Sequence, residues 1–208
     1  MIDKENAIKK TKKKMETRYG ISIVNIVKPS DDMKKCISML SHEKSLICDR
    51  FTWSKEIDLH ITLLRCHSLS NPIDMPKGYI EYLYKLFSQK QPFLLQTETL
   101  SLDQDGVIRL HLSDVSMKFW EGINITELYD KSRLNYSIIY KPWITLAYSK
   151  IENIDDICSN YACILDLLKS IYKKRSFVID QLAVVKYSDS AFKEKSIESI
   201  INLGGTHG

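Results

Sequence analysis

The chain has 208 residues, 44% apolar and 10% aromatic, with only 7 Gly and 5 Pro. That size and composition suit one globular domain or two small lobes sharing a core, and exclude a peptide, a disordered tail and a collagen-like repeat. Thirty basic residues against 26 acidic ones leave a net charge of +4, and the excess sits at one end: residues 1–19 hold seven basic side chains against three acidic ones. The balanced remainder lacks the basic face of a duplex nucleic-acid binder, so any RNA contact is expected through the basic amino-terminal extension.

No apolar run approaches the roughly 20 residues of a membrane span, and the amino terminus has no secretory signal, so a cytoplasmic protein without membrane contact is expected. The five cysteines fall inside apolar periodic segments without paired spacing and read as buried thiols. No heptad run or long exposed apolar strand is present, so the expected state is a monomer.

After the extension, Ile21 to Val27 reads as a buried strand. Pro29 to Asp32 supplies turn and N-cap chemistry for a helix to about residue 47, with Met33, Cys36, Ile37 and Leu40 on one stripe. Ile57 to Arg65 is a strand, and Ile80, Leu83, Tyr84 and Phe87 mark a helix ending before Pro92. Phe93 to Leu102 and Val107 to Ser113 form a hairpin across Asp103 to Gly106. A helix around 115–131, a strand from Tyr136 to Tyr148, a helix from about 154 to 172 and a strand from Phe177 to Tyr187 follow. Residues 192–203 read as an edge strand and 204–208 as a loose tail.

Two of these strands carry the same phrase. Leu59-His60-Ile61-Thr62-Leu63 is matched, 83 residues on, by Pro142-Trp143-Ile144-Thr145-Leu146-Ala147. Strand parity puts His60 and Thr62 on one face, and Lys141, Trp143 and Thr145 on one face, with the intervening aliphatics toward the core. Imidazole titrates near neutrality and a threonine hydroxyl can donate to an oxyanion, so a His and a Thr two apart suit proton transfer beside a phosphate. Arg109, His111 and Ser113 share one face of the hairpin and read as the polar side of an amphipathic strand, although His111 also offers a replacement acid. His42 falls at a helix end, His67 in a loop and His207 in the tail. No metal-ligand spacing or Gly-rich phosphate loop is present.

These phrases resemble the 2H phosphoesterase superfamily, whose members carry two H-x-T/S motifs in pseudo-symmetric lobes, the second often Pro-His-Ile-Thr-Leu-Ala. The resemblance covers most of residues 20–203. It implies an α+β fold of two pseudo-symmetric β-α lobes with mainly antiparallel sheets around a central cleft, preceded by an extension over 1–19. It also implies phosphodiester chemistry without metal or cofactor, with His60, Thr62 and Thr145 as catalytic residues. Tyr148 and Tyr187 fall at strand ends that line the cleft in such proteins, and with Trp143 and Lys141 they are the candidate nucleotide-binding residues. Trp143 departs from the pattern: indole donates a hydrogen bond but neither accepts a proton nor titrates. The expected function is binding of a cyclic nucleotide or short 2′,5′-linked oligonucleotide with weak or absent catalysis. The alternatives are a metal-independent phosphodiesterase working through His60 and an RNA-binding accessory protein.

Overall fold

A computed structural model of the chain describes residues 1–43, 46–66, 70–114, 118–189 and 194–205; His67 and His207 lie outside them. Helix α1 (Lys4–Met15) begins at Asp3, whose carboxylate accepts from the Asn6 N–H. Strand β1 (Thr17–Ile26) leads to α2 (Asp31–Ser38), capped by the Ser30 hydroxyl on the Met33 N–H, then to a π-helical turn over Met39–Glu43. Short β2 (Phe51–Trp53), β3 (His60–Cys66) and α3 (Tyr79–Ser88) follow. The hairpin is β4 (Phe93–Leu102) and β5 (Val107–Asp114), turning at Gly106 with φ +74°. Next come α4 (Ile125–Ser132), β6 (Tyr136–Ile138), β7 (Trp143–Ser149), α5 (Ile154–Ser159) and α6 (Tyr161–Ile171). Strands β8 (Ser176–Ile179), β9 (Gln181–Asp189) and β10 (Lys195–Asn202) complete the fold.

Among the described residues the strands form one sheet in the order β10, β9, β1, β3, β7, β5, β4, β8, with β6 also on β3 and β2 also on β7. Neighbours pair antiparallel throughout. The order is symmetric about the join of β3 and β7. Each half has four strands, and each central strand takes a three-residue partner from the other half of the sequence. The architecture is thus α+β with two pseudo-equivalent halves.

The connection from β8 to β9 determines the curvature. These strands lie near opposite ends of the order, yet Asp180 alone separates them. Two Cα steps of about 3.8 Å cannot bridge an open flat sheet of that width, so the sheet curls until its far ends meet. The Leu203 N–H to the Asp180 carbonyl (2.8 Å) and the Gly204 N–H to the Lys90 carbonyl (2.7 Å) close that corner. One main core unites both halves, with Ile61 and Leu63 of β3, Ile144 and Leu146 of β7, Leu83 and Phe87 of α3, and Ile164 and Leu168 of α6.

Several expected elements are redrawn. The strand expected over 136–148 is two strands, because proline at 142 has no N–H for a ladder and the chain turns before Trp143. The strand expected over 177–187 is also two, at opposite ends of the sheet. The long helix over 154–172 breaks at Asn160. Cys66 is buried, but Cys163 is exposed, against the expectation of five buried thiols.

The basic extension is not separate from the body. The first strand begins at Thr17 rather than Ile21, and α1 is docked: Ile2 and Ala7 are buried in the main core. The Asp3 N–H donates to the Gln104 carbonyl at 3.0 Å, the Thr11 hydroxyl to the Ser149 carbonyl at 3.2 Å, and Lys4 pairs with Asp155. Of the tail, Gly204 is held by its bond to Lys90, and residues 206–208 lie outside the described residues. No helix among the described residues is long and apolar enough to cross a membrane.

Removing residues 1–15 withdraws these two apolar side chains and the Thr11 bond. The expected cost is about 3 kcal/mol, seen as a fall in Tm of roughly 6–12 °C by calorimetry; an unchanged Tm would show that α1 contributes nothing to the core.

Candidate functional site

The two phrases meet at the centre of the sheet. Strands β3 and β7 run antiparallel with Ile61 opposite Ile144, so the middle residues of the two motifs face each other across the pseudo-dyad. One step outward on each strand sets His60 beside Thr145 and Thr62 beside Trp143. The burial of the two strands matches: the first and third residues of each are half-buried, while the second, fourth and fifth are buried. Equal aliphatic spacing inserts both strands into the core in the same way and turns His60, Thr62, Trp143 and Thr145 to the face opposite it.

His60 is held on its own side of the join. Its Nδ1 lies 2.7 Å from the Asp58 carbonyl oxygen, which can only accept, so the neutral ring carries its proton on Nδ1 and its lone pair on Nε2. The Asp58 side chain accepts from Lys195 Nζ at 2.5 Å, and both groups are largely covered. Lys195 belongs to β10, so the curl of the sheet brings an edge strand back to steady the turn that orients His60. Val24, Ile26 and Val185 line a small apolar recess beside the ring. Val24 and Val185 belong to a second apolar cluster, with Ala183 and Tyr187, separate from the main core.

The Trp143 side is charged. On β5, Arg109 is the register partner of Thr145 and His111 that of Trp143. Arg109, 7% exposed, places its guanidinium 5.4 Å from the centre of the Trp143 ring. Its Nη1 donates to Asp103 Oδ2 (2.6 Å) and Asp105 Oδ1 (2.7 Å), and its Nη2 to Asp105 Oδ2 (2.7 Å). Asp103 Oδ1 also accepts from the Ser101 hydroxyl (2.6 Å) and His111 Nε2 (2.9 Å). Burial pushes the Asp103 carboxyl upward, but the bonds from His111, Ser101 and Arg109 outweigh it and bring it down to about 2. Lys10 of α1 stands 3.6 Å from Asp105. An open depression of 690 Å³ lies at the hairpin end between α1 and α6, lined by Asp103, Asp105, Arg109 and His111 with Asn6 and Lys169 among others, and neither Trp143 nor Thr145 lines it.

Of the residues expected from sequence, the structure brings together His60, Thr62, Trp143 and Thr145. Lys141 is exposed just before β7, where the Pro142 carbonyl accepts from the Leu112 N–H. Tyr148 pairs with Val107 and Thr52, five residues along β7 from Trp143, and so about 17 Å away. Tyr187 is corrected: it is 4% exposed and packs over Gly20, where a Cβ would lie 2.1 Å from its hydroxyl oxygen. A ring enclosed in this way has no face to offer a base. Sequence reading missed Lys195 and Asp58 altogether, and took Asp103 and Asp105 only as turn formers. The one available signal was the shared parity of Arg109 and His111 beside two turn carboxylates.

No protein-family model matches the chain. No curated protein matches it. Among solved structures, a crystal structure of E. coli LigT complexed with phosphate is similar with a TM-score of 0.44 and 11% identity, over 91% of this chain and 100% of that one.

Because the Asp103 carboxyl lies below its ordinary 3.8, its contribution to stability is present above that value and is lost as pH falls through about 2. Urea unfolding of Asp103→Asn against the wild type should show a deficit of about 2 kcal/mol at pH 6, shrinking toward zero near pH 2. A deficit independent of pH would refute the charge-based origin.

Proposed function

We propose that this chain is a 2H phosphoesterase-like protein that binds a nucleotide phosphodiester at the join of β3 and β7, with turnover slowed by Trp143. The observation that carries this reading is the pairing of Ile61 with Ile144, which sets both motif copies around one point. A phosphate at that point has the Thr62 and Thr145 hydroxyls as donors to its non-bridging oxygens and His60 Nε2 as an acceptor for the proton of an attacking oxygen. Trp143 donates through its indole N–H and presents an aromatic surface to a base. It transfers no proton, and one lost acid–base group costs on the order of 10²–10⁴ in rate. The ligand class is therefore a cyclic nucleotide, a ribose 2′,3′-cyclic phosphate or a short 2′,5′-linked oligonucleotide, held longer than it is cleaved.

The test is calorimetry of the full chain with cyclic di- and trinucleotides, 2′,5′-linked oligoadenylates and 2′,3′-cyclic nucleotides, with each ligand recovered for chromatography. Binding is expected for at least one class, weakened about tenfold or more in the Thr62→Val/Thr145→Val double variant. No binding across the panel, or full affinity in the double variant, overturns the reading.

A second variant tests the role of position 143. Trp143→His is expected to raise cleavage of the bound ligand by about 10²-fold or more, provided His60 is intact. Cleavage no faster than wild type would mean that position 143 does not limit turnover.

A further inference from the structure

The hairpin bordering Trp143 carries a histidine that the two motifs leave unused. His111 is the register partner of Trp143 and shares its face, and its ring is only partly covered. Its Nε2 is tied to Asp103 Oδ1 at 2.9 Å. A carboxylate can only accept, so Nε2 bears a hydrogen and the imidazolium carries its second proton on Nδ1. His60 is arranged in the opposite sense, with Nδ1 tied to the Asp58 carbonyl and Nε2 the acceptor. Two histidines on one strand face, anchored through opposite nitrogens, offer complementary chemistry: a charged His111 has an N–H donor at Nδ1, and a neutral His60 has its lone pair on Nε2.

We propose that His111, held by Asp103, is the proton donor for the slow phosphodiester chemistry of this site, acting from the strand beside Trp143. This rests on the phosphodiester reading above and adds the second acid–base group to it. The Asp103 side chain is itself fixed, with Ser101 on Oδ1 and Arg109 on Oδ2, so the His111 ring is anchored rather than merely neighbouring. By strand spacing, His111 is two strands and two residues from His60, about 12 Å between Cα atoms, against about 8 Å for position 143. The wider interval spans the indole and accounts for slower rather than absent turnover, since small misplacements of reacting groups cost orders of magnitude.

For a ribose 2′,3′-cyclic phosphate, a water oxygen forms the new bond to phosphorus while its proton passes to His60 Nε2. The bond from phosphorus to one ribose oxygen breaks, and that oxygen takes the proton from His111 Nδ1. His60 ends as imidazolium and His111 as neutral imidazole, and exchange with solvent restores both. Nothing is oxidised or reduced.

The experiment is single-turnover cleavage of adenosine 2′,3′-cyclic phosphate and of a 2′,5′-linked adenylate dimer, with affinities measured in parallel. His111→Ala and His111→Gln are each expected to slow cleavage by about 10²-fold while leaving the dissociation constant within about threefold. The glutamine amide can still donate to Asp103, so this variant separates loss of the proton from loss of the anchor. In a Trp143→His background, His111→Ala should change the rate by less than about threefold, because the new histidine supplies the proton. A wild-type rate in either single variant with ligand still bound overturns the proposal, as does wild-type protein that binds ligand and returns it intact. Failure of the wild type to bind either probe or any member of the wider panel overturns the phosphodiester reading and this proposal with it.

Discussion

The pairing of Ile61 with Ile144 is the contact on which the site depends. It is a meeting of two buried aliphatic residues, and it holds the central strands of the two halves in antiparallel register. A slip of one residue would send His60, Thr62, Trp143 and Thr145 toward the core and their aliphatic neighbours toward solvent, at a cost no polar contact could offset. The hydrophobic pattern of β3 and β7 thereby sets the positions of polar groups that take no part in the core.

The halves are equivalent in backbone and unlike in chemistry. On the β3 side, His60 is oriented by a backbone carbonyl, and the nearby wall is made of Val24, Ile26 and Val185. On the β7 side, a guanidinium with two carboxylates lies against the indole, and an imidazole shares one of those carboxylates. Both terminal nitrogens of this buried arginine are met by carboxylates while its Nε has no hydrogen-bond partner, and removing one partner of such a group costs several times what an exposed pair contributes. The network therefore rigidifies the hairpin next to Trp143. The join of β3 and β7 therefore has an apolar wall at one end and fixed charges at the other.

Helix α1 ties the amino-terminal charge to the same neighbourhood. Its small apolar face, Ala7 with the preceding Ile2, packs beside Gly106, whose positive φ and missing side chain leave room for the Ala7 methyl. Lys10 then faces Asp105, within the carboxylates that hold Arg109. What reads in one dimension as a basic tail is in three dimensions a lid on the end of the hairpin.

Much of this was legible in the sequence, for a physical reason. Strand parity depends only on period-two alternation, so the shared faces of His60 with Thr62 and of Trp143 with Thr145 followed from the residues themselves. So did the Asp-Gly hairpin and the helical stripes of α3 and α6. Long-range pairing does not follow from local pattern. That β8 and β9, one residue apart, join opposite ends of the sheet is decided by which strand edges remain unpaired when the core closes. Tyr187, placed by sequence at a cleft mouth, is buried because Gly20 sits opposite it in a pairing that no local signal announces. The sequence by itself determined the face on which the motif side chains lie. Only the tertiary structure decided that Lys195 steadies the turn orienting His60, and that Asp103, Arg109 and His111 gather beside Trp143, because a contact between residues distant in the chain exists only once the strands between them have taken their register.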